Sequence, residues 1–452
     1  MANLPGQNIL KVYELSNFDE ASTLFKEHFA IPQDVIESVK KIVYDVKVKK
    51  EIAALKYTNK FDKVNFRDIN DAKVTADEIK SGFEYVTNNF KELIKAIKKS
   101  YKNILKFHEE QLKHEPKTWF FESENGKKLG QLMLPLERIC VYIPGGRYVY
   151  PSSLLMTVIP AKVAGVKEIV VCTPPQSDGE ISNLLLYLFK FLDISEIYKI
   201  GGAQAIALMA FGGEKVRKVS KIVGPGNIYV TAAKKIVFGE VGIDSLAGPS
   251  EIVIIADENA NPKFVGADLL SQAEHDPNSK SILLTNSRFI AEKTIEEIST
   301  QIDELKKEYP GKLNDEVIIE SITHNCKIIL CKDIKLAADI SNYIAPEHLE
   351  IMTENAFETL KLIKNSGSIF LSNYTPVAVG DYIGGTNHVL PTNGTAVFSS
   401  PLGVYDFFKK SAVTFYSYEA LKFEGKLIET FAETENLLAH KNSIRIRYKN
   451  KT

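Results

Sequence analysis

The chain has 452 residues, 44% of them hydrophobic, which at about 100–200 residues per domain is enough for two to four packed domains and excludes a disordered or fibrous polypeptide. Its 56 Lys and Arg against 57 Asp and Glu leave a formal charge of -1, so no global field exists to hold nucleic acid or an anionic membrane. The longest apolar runs, such as Ile252 to Ala256 and Leu184 to Leu192 interrupted by Lys190, fall short of the roughly 18 residues of a spanning helix. The opening Met1-Ala-Asn-Leu-Pro-Gly6 has neither a basic stretch before an apolar core nor an Arg/Ser-rich leader. A soluble, cytoplasmic protein is expected.

The first third reads as helical and Lys-rich. Thr75-Ala-Asp-Glu78 matches a capping box, and Ile79, Phe83, Val86, Phe90, Leu93, Ile97, Tyr101 and Leu105 recur three and four apart, predicting one helix that reaches His114. Such a rod, about 60 Å long at ~1.5 Å per residue, must bend or lie across two lobes. From Arg138 the texture changes to β-branched runs between helical stretches: Ile139 to Ile143, Glu168 to Thr173, Glu196 to Ile200 and Ser220 to Gly224. A second series follows at Glu251 to Ala256, Ser281 to Thr285, Cys326 to Cys331 and Ser368 to Leu371. This βαβα alternation predicts two α/β lobes with parallel sheets, joined near Ser250. The last fifty residues, with Val413 to Tyr418 and a helix over Ile428 to His440, are too few for a core of their own and must pack on the same subunit or another. Cys140, Cys172, Cys326 and Cys331 are scattered through apolar runs and read as buried strand residues, not as disulfide or zinc ligands.

Gly145-Gly146, Gly201-Gly202 and Gly224-Pro-Gly226 each follow a predicted strand and precede a helix, where exposed backbone N–H groups can hold an anion. No G-x-G-x-x-G is present, because Tyr229 stands where the third glycine belongs. Spacing alone leaves nucleotide binding open.

His275 follows Gln272-Ala-Glu, His348 follows Ala345-Pro-Glu347, His388 follows Gly385-Thr-Asn, and His440 lies five residues after Glu435. Gln272 and His275, three apart at the end of a helical segment, project from one face and can share a ligand. With Asp381 and one more His they would make a nitrogen and oxygen sphere suited to Zn²⁺ or Mn²⁺. The adjacent Glu347 and His348 can trade protons near pH 7. His28, His108, His114 and His324 lack such company and read as surface or capping residues.

Taken together, Tyr142-Ile-Pro-Gly-Gly146, Gly201-Gly-Ala-Gln204, Gly224-Pro-Gly-Asn227, Ala247-Gly-Pro-Ser250-Glu251, Ser271-Gln-Ala-Glu-His275-Asp276, Ala345-Pro-Glu-His348-Leu and Gly380-Asp-Tyr-Ile-Gly-Gly-Thr-Asn-His388-Val-Leu-Pro-Thr resemble the histidinol dehydrogenase family from about residue 30 onward. The resemblance implies NAD-dependent oxidation of L-histidinol to L-histidine through the aldehyde, with two NAD consumed and one zinc ion per subunit, Mn²⁺ being the alternative. Carried over by position, it implies metal ligands Gln272, His275, Asp381 and His440, and a catalytic pair Glu347 and His348. It also implies substrate contacts at Ser250, Gln272, His275, His348, Asp381, Glu435 and His440, and NAD contacts at Tyr142, Gln204 and Asn227.

The implied architecture is α/β, with two incomplete Rossmann-like lobes. Residues 1–30 form an N-terminal helical arm, 31–138 with 250–385 the lobe of metal and catalytic residues, 139–249 the NAD-side lobe, and 386–452 a tail domain that swaps in a homodimer with shared active sites. A dehydrogenase acting on another amino alcohol, or a catalytically silent binding protein of the same fold, are the competing readings. The retention of Asp381, Glu435, His440, Glu347 and His348 argues against both.

Overall fold

Short β-branched runs that alternate with amphipathic helices bury both faces of two parallel sheets. The computed structural model describes residues 10–25, 30–145 and 150–449; His28 and Gly146 lie outside them. Strand β1 (Val12–Leu15) and the helix Phe18–Leu24, capped by Asn17, open the described chain. The expected N-terminal arm is therefore, in its described part, an edge strand of a sheet with one short helix.

The helix Gln33–Asp62, interrupted by a kink at Lys50 (φ 54°), follows, and then Ala76–Asn89 and Lys91–His114. The Thr75 capping box forms as expected, with Thr75 N donating to Glu78 Oε2 at 2.7 Å and Glu78 N to Thr75 Oγ1 at 3.2 Å. The single rod predicted from Thr75 to His114 is broken at Phe90, whose φ of -132° and ψ of 56° leave the helical region. The break lets Ile79 and Val86 on one helix and Ile97 and Ile104 on the other reach one core.

Strands β2 (Trp119–Ser123) and β3 (Lys127–Pro135) precede the first parallel sheet. That sheet holds β4 (Arg138–Tyr142), β5 (Glu168–Cys172), β6 (Glu196–Tyr198), β7 (Lys221–Val223) and β8 (Gly242–Ile243), in the order β6-β5-β4-β7-β8. The second holds β9 (Glu251–Ala256), β10 (Lys280–Thr285), β11 (Cys326–Cys331), β12 (His348–Met352) and β13 (Ser368–Leu371), in the order β1-β11-β10-β9-β12-β13. Counted from β4 and from β9, both follow 3-2-1-4-5, a dinucleotide-binding strand order without its sixth strand. Every strand of the two predicted series forms. All four cysteines are free and buried in them.

The helix Gln33–Asp62 packs with Gly202–Phe211 and Ile228–Val237 on one face of the five-stranded sheet. Ala76–Asn89, Lys91–His114, Pro151–Val163 and Asn183–Phe191 pack on the other. Residues 35–105 thus belong to the core around 139–249, not to the 250–385 lobe with which the sequence reading grouped them. Fully buried side chains such as Leu188 and Ile206 each stabilise this core by roughly 1.5–3 kcal/mol.

Strand β14 (Phe408–Phe415) pairs antiparallel with β3, making the three-stranded sheet β14-β3-β2. Val389, Leu402, Val404 and Phe407 sit in the core beneath the five-stranded sheet. The tail therefore separates at about residue 408 instead of 386, and it recruits β2 and β3. Its helices Tyr418–Thr434 and Leu438–Tyr448 replace the one helix expected over 428–440, with Asn436 (φ 56°) in the turn between them.

Candidate active site

Strand ends of the two sheets meet across a cavity of about 660 Å³. The five-stranded sheet presents its carboxyl ends at the point where strand order reverses: Pro144 and Gly145 follow β4, and Gly224-Pro-Gly226 follows β7. The six-stranded sheet presents the amino ends of its neighbouring strands β9 and β12. Pairing of His348 with Ile252 sets Ser250-Glu251 beside Glu347-His348 at this edge.

Glu347 and His348 are both buried. Glu347 Oε2 accepts from Glu251 N at 3.1 Å, and the Ser250 hydroxyl also donates to this carboxyl group. Burial raises Glu347 well above the usual carboxylate range, and the carboxylates of Glu251 and Asp381 push in the same direction. His348 Nδ1 lies 3.2 Å from the carbonyl oxygen of Glu251 and 3.8 Å from Glu347 Oε2. A carbonyl oxygen only accepts, so Nδ1 carries the proton and Nε2 keeps a free lone pair. Burial, reinforced by His275 and His388, pulls His348 down to about 3, which leaves it neutral at pH 7.

Gln272 ends the helix Pro262–Ala273 and is buried with its amide nitrogen lacking any partner. His275 follows the helix and enters the cavity, its imidazole held low by burial. Asp381 comes from the π-helical turn Val379–Gly384 and is pushed up to about 6 by burial. His275 and Asp381 line the cavity and offer a neutral imidazole and a carboxyl group to a cation, whereas Gln272, whose amide oxygen is the atom a cation would take, is buried three residues before His275 without lining it. The remaining expected ligand lies farther off. His440 lies on the exposed helix Leu438–Tyr448, Glu435 caps the preceding helix in the open, and neither lines the cavity. Among the described residues no three His, Cys, Asp or Glu side chains converge to hold a metal within one chain.

On the other wall Asn227 lines the cavity while its Oδ1 accepts from Tyr229 N at 3.1 Å and Val230 N at 3.2 Å, capping the helix Ile228–Val237. Tyr142 and Gln204 do not line it. Both are buried, and Tyr142 Oη accepts from Gly202 N at 3.0 Å, so Tyr142 supports a glycine turn from behind. Sequence reasoning singled out His388 without giving it a role and passed over Ser153. The structure sets Ser153 Oγ 3.3 Å from His388 Nε2, and His388 Nδ1 3.8 Å from Asp381 Oδ1. Ser153 starts a helix just after strand 1 of the sheet, where a ligand is expected in such folds.

The comparisons agree with this geometry. The family model described as histidinol dehydrogenase matches residues 27–448. The histidinol dehydrogenase of Clostridium acetobutylicum is 47% identical over 416 residues, covering 92% of this chain and 93% of the relative. That of Oceanobacillus iheyensis is 45% identical over 442 residues, 98% of this chain and 99% of the relative. The crystal structure of histidinol dehydrogenase from Elizabethkingia anophelis superposes with a TM-score of 0.87 at 38% identity, covering 97% of this chain and 98% of that one. With two sheets in 3-2-1-4-5 order, a cavity at their junction and these matches along nearly its full length, the chain belongs to the histidinol dehydrogenase family of oxidoreductases.

Proposed function

We propose that this chain oxidises L-histidinol to L-histidine through L-histidinaldehyde in two successive NAD-dependent steps, the last of histidine biosynthesis, as a cytoplasmic homodimer. The observation that carries the reading is the buried Glu347-His348 pair, with His348 Nε2 free at a cavity whose other wall is the glycine turn Gly224-Pro-Gly226.

His348 Nε2 accepts the hydroxyl proton in the first oxidation, because Nδ1 is committed to Glu251 O. The aldehyde must then gain water. Glu347, whose carboxylate form burial makes more basic, takes a proton from that water while His348 returns the proton of the first step to the carbonyl oxygen, and His348 then takes a proton of the resulting gem-diol as the second hydride leaves. Ser250 and the Glu251 N–H hold the Glu347 carboxyl group in place. NAD, when bound against Gly145 and Gly224-Pro-Gly226, supplies the hydride acceptor for each step. A side chain at Gly224 would fall 2.1 Å from Tyr142 O, so this wall is kept bare. Asn227 fixes the helix start beside it, with Tyr142 and Gln204 as the support of the neighbouring turn.

Gln272, His275 and Asp381, with His440 of the partner subunit, would hold zinc or manganese, which supplies a cation to orient the substrate's imidazole and amino nitrogens. The homodimer reading rests on the tail. Phe423, Leu427 and Phe431 form an exposed stripe along Tyr418–Thr434, and Trp119, Phe120 and Phe121 are exposed on β2. Such a surface requires a cover, and a second copy would cover it while delivering Glu435 and His440 to the incomplete donor set. The test is purified protein with L-histidinol and NAD, reading NADH absorbance and product histidine. Two NADH per histidine supports the reading; no NADH with metal-loaded dimer overturns it.

A further inference from the structure

Beneath the glycine turn of the cofactor wall lies a charged pair that the mechanism above does not use. Lys234, on the helix Ile228–Val237, and Asp244, just beyond β8, are each 4% exposed in their side chains and 2.6 Å apart. Between them they take both main-chain polar groups of Gly224. Lys234 Nζ donates to Gly224 O at 2.5 Å, and Gly224 N donates to Asp244 Oδ2 at 2.7 Å. Gly224 has a φ of +113°, a conformation that L side chains avoid.

A buried ion pair is a poor way to stabilise a fold, because desolvation offsets the attraction and apolar residues of like volume serve as well. Its distinctive property is direction, since each charge here orients one of the two peptide units that flank Gly224. The upper side of the same turn, Pro225, Gly226, Asn227 and Ile228, lines the cavity. The segment after Asp244 is also tied down. Thr231 Oγ1 donates to Ala247 O at 3.1 Å and Gly248 N to Thr392 Oγ1 at 2.6 Å, so the pair sits where the turn meets the segment leading to Ser250.

We propose that Lys234 and Asp244 are positioning residues for the dinucleotide: they lock Gly224 so that Pro225 to Ile228 present a rigid edge to the bound cofactor. This rests on the NAD reading above. The experiment compares wild type with Lys234→Met, Asp244→Asn and the double variant Lys234→Met/Asp244→Leu, which leaves no unpaired buried charge and is expected to fold even where a single variant does not. NAD binding is read by calorimetry without substrate, and KM for NAD and for histidinol are read separately. Losing charged hydrogen bonds should weaken NAD binding and raise its KM by about tenfold or more, with histidinol KM within about twofold. A folded double variant with wild-type NAD affinity, or one in which both KM values and kcat worsen together, overturns the proposal. Wild-type protein that turns over histidinol with a different acceptor and does not bind NAD would instead overturn the cofactor reading.

Discussion

Glu350 and Asp268 stand against each other as a buried carboxyl pair close behind His348. Glu350 lies two residues past His348 on β12, Asp268 one turn before Gln272, and Val377 N donates to Glu350 Oε1 at 2.9 Å. Burial and then the charge of Asp268 drive Glu350 well up, and burial takes Asp268 up to about 6. Folded carboxyls that hold protons more tightly than unfolded ones, at about 4, stabilise fully below that value. The contribution is lost as pH rises through about 6 and beyond.

Glu350→Gln should therefore stabilise the protein at pH 8, raising Tm by roughly 2–4 °C, with an advantage that shrinks toward pH 5. Thermal unfolding followed across this range checks it. A Tm difference that does not change with pH would show that the pair carries no proton linkage.

Glu347→Gln should impair aldehyde oxidation more than alcohol oxidation, because only the second step needs an added water. His348→Asn should slow both by about 10²–10⁴-fold. Turnover with histidinol and with histidinal offered separately distinguishes the two variants. Equal losses in Glu347→Gln would remove the water-activating role.

Prolonged chelation should abolish turnover while leaving far-UV circular dichroism almost unchanged, since the apolar cores on both faces of each sheet contain none of the expected ligands. Readdition of Zn²⁺ or Mn²⁺ should restore activity. Full activity in protein shown by elemental analysis to be metal-free is the contrary result.

Mixed dimers test the tail. Co-expression of His348→Asn with His440→Asn should regenerate one intact site per heterodimer and recover about half of the wild-type activity of that species, because both lesions then fall in the other site. Each variant alone should stay inactive. Heterodimers isolated by dual tags that show no recovery, or an active monomer in sedimentation, would contradict a shared site.

Most strands were legible because Val, Ile and Leu runs such as Ile252 to Ile255 are buried on both faces. Strand β12 was not, because His348 and Glu350 interrupt its apolar run although both are buried. The break at Phe90 left no mark in the periodicity, which continues through it. The site was legible as residue types at Ser250, His275, Glu347, His348 and Asp381, all of which line the cavity. Residue spacing carried no sign that Tyr142 and Gln204 are buried behind the turns, nor that Glu435 and His440 lie exposed and away from the cavity of their own chain.

The opposed ends of the two sheets give the cavity an electrical polarity. Where the first sheet's strands end, helices begin, so Pro151–Val163 and Ile228–Val237 aim their amino termini at the cavity. Where the second sheet's strands begin, helices have just ended, so Pro262–Ala273 and Ile334–Ile344 bring their carboxyl termini there, next to His275 and Glu347. Each terminus carries about half an elementary charge, positive on the first wall and negative on the second. One wall thus favours phosphates and the other an ammonium group or a metal ion. Backbone alone would orient a dinucleotide and a cationic amino alcohol toward opposite sides before any side chain touches them.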